Sequence, residues 1–155
     1  MDIIIAGGLA GMIGYLTCGL TNLILYLTGI LPTTGIHYNA VLMTAPNTPI
    51  STLSISIGII AGLIVTGPFV GVIISYLLTR TSYDYAWLKG FGVATVLWPV
   101  HVAIIPNVIA PHLWTTLPPI MVFACFFFEA IFGIVTALSV KYLRNRKGKI
   151  MPHGS

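Results

Sequence analysis

The chain has 155 residues, 57% of them hydrophobic and only 6% charged, and seven Lys or Arg against three Asp or Glu leave a formal net charge of +4. A soluble domain covers itself with about 25% charged residues, so this composition, with a mean hydropathy of +0.99, excludes a water-exposed globular fold and implies an integral membrane protein. One crossing takes about 20 apolar residues through a hydrocarbon core of about 30 Å, so the length holds several crossings in a single domain, with only short loops and ends outside.

Four stretches qualify as spans: residues 3–31, 50–79, 86–106 and 117–143. They are continuous apolar runs, whereas membrane strands are shorter segments of alternating polarity, so helices are the backbone that satisfies itself in lipid. The expected fold class is all-α, a four-helix transmembrane bundle. The first span opens on "MDIIIAGG", which lacks the basic region of a cleavable signal and is expected to remain in place. It sets Gly7, Gly11, Gly14 and Cys18 on one stripe and brings Thr17 to mid-depth. The loop that follows, Pro32 to Pro49, contains His37 and the partly apolar "YNAVLM", which is expected to pack on headgroups or on another protein.

The second span repeats the small-residue pattern through Ser54, Gly58, Gly62 and Thr66, then Gly67, Gly71 and Ser75. Lipid tails are as apolar as leucine, so such stripes drive helix association by letting backbones approach closely. Pro68 cannot donate to the carbonyl of Ile64, and in the third span Pro99 leaves that of Thr95 without its donor, so both helices are expected to kink. Arg80 and Lys89 occupy the loop between these two spans, while the loops after the first and third contain no Lys or Arg. With Lys141, Arg144, Arg146, Lys147 and Lys149 after the fourth span, the positive-inside rule places both termini in the cytoplasm and makes the basic tail (residues 144–155) an anchor on anionic headgroups, not a nucleic-acid arm. The expected location is the cell membrane, as a multi-pass protein. Tyr83, Tyr85 and Trp87 suit the inner aromatic belt, and Tyr38 and Trp114 the outer one.

The fourth span carries one acid, Glu129, within "FFFEAIFG". A charge at the centre of a span costs about 2.5–3.5 kcal/mol on insertion scales, so such a residue faces the bundle interior with a partner, or takes up a proton. Val122, Cys125, Phe126, Phe132, Gly133 and Thr136 share its face, while Phe123, Phe127 and Ile131 turn toward lipid. Counting along the helices puts His101 within about one turn of the same depth, and Thr17, Cys18, Thr66 and Gly67 reach that level too. A mid-membrane polar site of Glu129, His101, Thr66 and Thr17 results, next to the interrupted helices that mark transporter sites. Two roles fit it: a proton or cation site with His101 as relay, or a fixed bond that sets helix register.

Other chemistry finds little support. His37 and His112 supply two imidazoles where a transition-metal site takes at least three ligands. Cys18 and Cys125 form no CxxC pair and behave as small hydrophobes. Intramembrane catalysis needs an activated nucleophile, a metal cluster or paired carboxylates, and one buried acid provides none of these. No enzyme, cofactor, metal or nucleic-acid role is expected.

The layout resembles the small four-span prokaryotic membrane proteins of unknown function grouped as YqhR-like. The resemblance rests on the glycine-rich first span, on "LKGFG" (Lys89, Gly90, Gly92) followed by Trp98, and on a polar residue before an aromatic-glycine pair, here Glu129 before Phe132 and Gly133. It implies a fold and no activity; at the position of Glu129 the family pattern would carry histidine. Two functional classes follow: an accessory or structural subunit packed in a larger membrane complex, or a small oligomeric channel or proton-coupled transporter.

Overall fold

A computed structural model describes residues 2–44, 51–109 and 119–148. Every regular element among them is helical. Four runs are long and apolar enough to cross a membrane: Ile3–Leu27, Thr52–Thr81, Ala86–Ile104 and Pro119–Asn145.

Helix α1, Ile3–Leu27, begins at Asp2, whose carboxylate accepts the backbone N–H of Ile4 at 2.7 Å. It stops before the expected end at residue 31, although Thr28 to Leu31 are apolar enough to continue. Gly29 takes φ +76°, its N–H bonds to Tyr26 O, and the Ile30 N–H reaches back to Leu25 O. This is a Schellman motif, and its left-handed position favours glycine because no Cβ meets the following carbonyl. Four residues that read as membrane span therefore turn the chain instead.

In the first loop, residues Gly35–Met43 form a helix, α2, capped by Thr34 and packed on the chain's own second span. Gly58 lies against the backbone of Ile36 and Ala40, where a Cβ would come within 2.6–3.2 Å. "YNAVLM" is apolar because part of it is covered by the bundle. In the second loop, His112 and Trp114 lie outside the described residues.

The second span comprises α3 (Thr52–Ile60), a six-residue π turn (Ala61–Thr66) and α4 (Gly67–Thr81). Ser51 and Ser54 close a capping box at its start. Pro68 has no N–H, and the helix absorbs this by widening just before it: the Gly67 N–H bonds to Gly62 O, five residues back. The third span repeats the device as α5 (Ala86–Pro99), a π turn (Val100–Ile104) and α6 (Ile105–Ile109). The fourth is α7, Pro119–Gly148, which carries the expected tail residues 144–148 as helix.

Helix α1 packs between α4 and α7, and α5 packs on the other side of α7. The glycines explain why. Gly7 and Gly11 face Gly67 and Gly71, and a Cβ on any of the four would overlap or press on the opposite backbone. Gly133 meets Gly90 in the same reciprocal way between α7 and α5. The α1 stripe divides between two neighbours, for Gly14 turns to Thr136 and Phe132 of α7. Gly62 makes room for the ring of Tyr15 and not for a backbone. On α7, Phe123 and Phe127 are exposed at 66% and 62%, whereas Ile131, expected on the lipid side, is only half-exposed, since α7 is flanked by both α1 and α5.

The tight turn from α4 to α5 holds two left-handed residues, Ser82 (φ 85°) and Tyr85 (φ 52°). Lys89 reaches back across it, its Nζ donating to Thr81 O at 3.0 Å and Ser82 O at 2.9 Å. The ammonium thereby caps the negative end of the second span. Replacing Lys89 by methionine keeps the aliphatic stem and removes the donors. The expected cost is about 1 kcal/mol of bundle stability, measurable by denaturant titration in detergent micelles.

Candidate mid-membrane site

The third and fourth spans bring His101 and Glu129 together. His101 sits in the π turn of the third span, and its Nδ1 lies 2.5 Å from Glu129 Oε1 of α7. The two side chains are 25% and 17% exposed. The pair is neutral overall either as imidazolium with carboxylate or as imidazole accepting from the carboxylic acid, so it removes an isolated charge from lipid. Trp98 fixes the approach of α5 to α7: its Nε1–H donates to Val122 O at 3.1 Å and its ring meets Phe126 edge-on at 5.5 Å.

A third group closes the site from above. Tyr38 of α2 donates its hydroxyl to the carbonyl oxygen of His101 at 2.6 Å. That carbonyl is available for a reason legible in the chain. Its α-helical donor, the Ile105 N–H, is diverted to Val100 O, and the residue that would donate across a π turn is Pro106, which has no N–H. An unpaired acceptor in the membrane costs several kcal/mol, and the phenol supplies the missing bond. Tyr38, expected in the outer aromatic belt, spends its hydroxyl on this acceptor.

Cys18 of α1 and Cys125 of α7 are both half-buried. Thr17, expected at this level, spends its hydroxyl on Ile13 O of its own helix at 2.9 Å. Thr66 is half-buried in the π turn that precedes Pro68. There the polar link runs through Tyr15, set over Gly62, whose hydroxyl accepts from Asn39 Nδ2 at 3.0 Å. Asn22, buried in α1, accepts the first N–H of α2, from Gly35, at 3.2 Å. Tyr15, Asn22, Tyr38 and Asn39 were not singled out as site residues. Asn22 within an apolar span, Asn39 within the apolar stretch of the first loop, and proline five residues after His101 were the available signals.

His37 is engaged locally, its Nδ1 2.8 Å from Thr34 Oγ1 and its ring beside that of Tyr26. Its suggested companion His112 falls outside the described residues. Among those residues no three His, Cys, Asp or Glu side chains are grouped to hold a metal. At the other end of the bundle Lys141 is half-exposed, and the Arg144 guanidinium lies 5.8 Å from the ring centroid of Tyr83. One nitrogen of that group, Nη1, is buried with no hydrogen-bond partner among the described residues. Arg146 and Lys147 follow on the last turn of α7.

Compared with protein-family models, with curated proteins and with solved structures, the chain finds no match.

Proposed function

We propose that this multi-pass membrane protein is a non-catalytic subunit that packs within a larger membrane protein complex, with the Glu129–His101 pair as its internal register lock. The observation that carries this reading is the origin of the bonds. The acid in the spans is met by His101 of the adjacent helix, and Tyr38 of the same chain covers it, so the polar groups hold one chain together. Shallow apolar grooves on both sides of α1, one around Ile4 and Ile73 and one around Ile13 and Leu138, fit neighbouring transmembrane helices. Arg80, Lys89, Lys141 and Arg144 gather at one end of the bundle, in keeping with cytoplasmic termini in a cell membrane. Kinship with the YqhR-like proteins belongs to the same proposal; Gly90 and Gly133, both within the resembling motifs, supply the close approach of α5 to α7.

A second reading, a small oligomeric channel or proton-coupled transporter, draws support from the π turns. Such turns recur at functional sites, and one of them carries His101. Extraction in a mild detergent followed by identification of every bound chain separates the two. A discrete complex with chains of other sequence is the expected result. A homo-oligomer whose pH-driven flux in proteoliposomes disappears in Glu129→Gln, with folding intact, would replace the subunit reading by the transporter one.

A further inference from the structure

The bond between His101 and Glu129 uses one nitrogen of the imidazole. Nδ1 faces the carboxyl group, and Nε2 has no hydrogen-bond partner among the described residues. The chemistry of the pair fixes what Nε2 is. An imidazolium carries hydrogen on both nitrogens, and a neutral imidazole that accepts through Nδ1 holds its one hydrogen on Nε2. Both overall-neutral forms of the pair therefore leave an N–H donor at Nε2. That donor is not enclosed by the chain. Among the described residues the buried side-chain atoms that lack a partner are Ser75 Oγ, Thr136 Oγ1 and Arg144 Nη1, and the His101 side chain is 25% exposed.

Its surroundings are open and apolar. Of the apolar stretch of the third span 11% is buried within the chain, against 28%, 39% and 39% in the first, second and fourth spans. Ile104 and Val108, shortly after His101, are exposed at 55% and 75%. Glu129 lies ten residues into the fourth span, about 15 Å from its start at 1.5 Å of rise per residue, and the bond holds His101 to that depth. Lipid tails offer no acceptor there, so a bare N–H is unfavourable. A neighbouring helix spends its own carbonyls on its own backbone, which leaves a side-chain oxygen as the acceptor it can bring.

We propose that the exposed side of the third span at His101 is the docking face for a transmembrane helix of another chain, and that this helix presents the hydroxyl or carboxamide oxygen of a Ser, Thr, Asn or Gln to the His101 Nε2–H. The inference rests on the subunit reading and adds to it a face and a partner chemistry. Apolar contact with Ile104 and Val108 brings a helix alongside. The polar bond selects which helix and at what height, because a helix without the oxygen, or with it at another level, leaves the N–H bare.

The test uses the intact complex, extracted in mild detergent from membranes in which Ile104 is replaced by photoreactive benzoylphenylalanine. Illumination is expected to join this chain to a transmembrane segment of a different chain, with Ser, Thr, Asn or Gln within one helical turn of the point of attachment. His101→Asn keeps an amide donor where Nδ1 stood and removes Nε2. It is expected to lower the amount of that partner retained about 2- to 10-fold, the factor for one net hydrogen bond, while the isolated variant unfolds close to the parent temperature. Undiminished retention overturns the proposal. So do photoadducts with lipid alone, with a second copy of this chain alone, or with a segment that carries no such residue. Each of these leaves the subunit reading standing if chains of other sequence still co-purify; if none does, that reading falls and the docking face falls with it. Should His101→Asn unfold at a markedly lower temperature, the photoattachment at Ile104, made with His101 intact, decides by itself.

Discussion

Replacing Glu129 by leucine is expected to destabilise the bundle by about 1.5–3 kcal/mol, the range for a hydrogen bond to a charged group. His101→Leu should lose a similar amount. A buried ion left permanently without its partner would cost about 3–5 kcal/mol, but a lone carboxyl in lipid escapes part of this by taking a proton, and a lone imidazole by releasing one. The double variant removes both polar groups, so it should regain most of what each single change loses. Glu129→Gln retains an acceptor for the imidazole and should fall between leucine and the parent. Reversible unfolding in a bilayer or in SDS-containing micelles measures all four. Losses that simply add in the double variant would mean that His101 and Glu129 do not stabilise one another, despite a separation of 2.5 Å.

The largest effect is expected at Gly11. A Cβ there would overlap the backbone oxygen of Gly67, and because both partners are main chain, no flexible side chain can move aside. Overpacking ordinarily costs about 1–3 kcal/mol, and a contact between two helix backbones belongs at or above the top of that range. Gly11→Ala should therefore separate α1 from α4 and lower stability by about 3 kcal/mol or more. Gly92→Ala is the matched comparison. It lies inside a helix with nothing within 4 Å of the new Cβ, so the usual preference for alanine should stabilise by about 0.5–1 kcal/mol. The same unfolding assay reads both, and equal losses at the two positions would refute the close-approach account of the glycine stripes.

Much of the architecture could be read from the chain because lipid imposes a simple demand. Long apolar runs must be helical to satisfy their own backbone, so the four spans follow from hydropathy with little information about contacts. Boundaries were harder: Gly29 stopped α1 four residues before hydropathy would have done, because a left-handed turn and its hydrogen bonds outweighed the apolarity of Ile30 and Leu31. Depth counting brought His101 and Glu129 to one level, yet a shared level is compatible with many rotations about the helix axes. Thr17 shows the limit, since its position suited the layer while its hydroxyl turned to its own helix.

By itself, the sequence determined the membrane class, the all-helical fold, the presence of one acid needing a companion and the places where proline interrupts the backbone ladder. These follow from composition, helical period and the missing N–H, all of which are local properties. Only the tertiary structure decided that Gly7 and Gly11 meet α4 while Gly14 meets α7, that the proline defects become π turns, and that Tyr38 serves the His101 carbonyl. Those outcomes depend on which helix lies beside which and at what rotation, and that is fixed by the sum of many packing contacts between residues far apart in the chain.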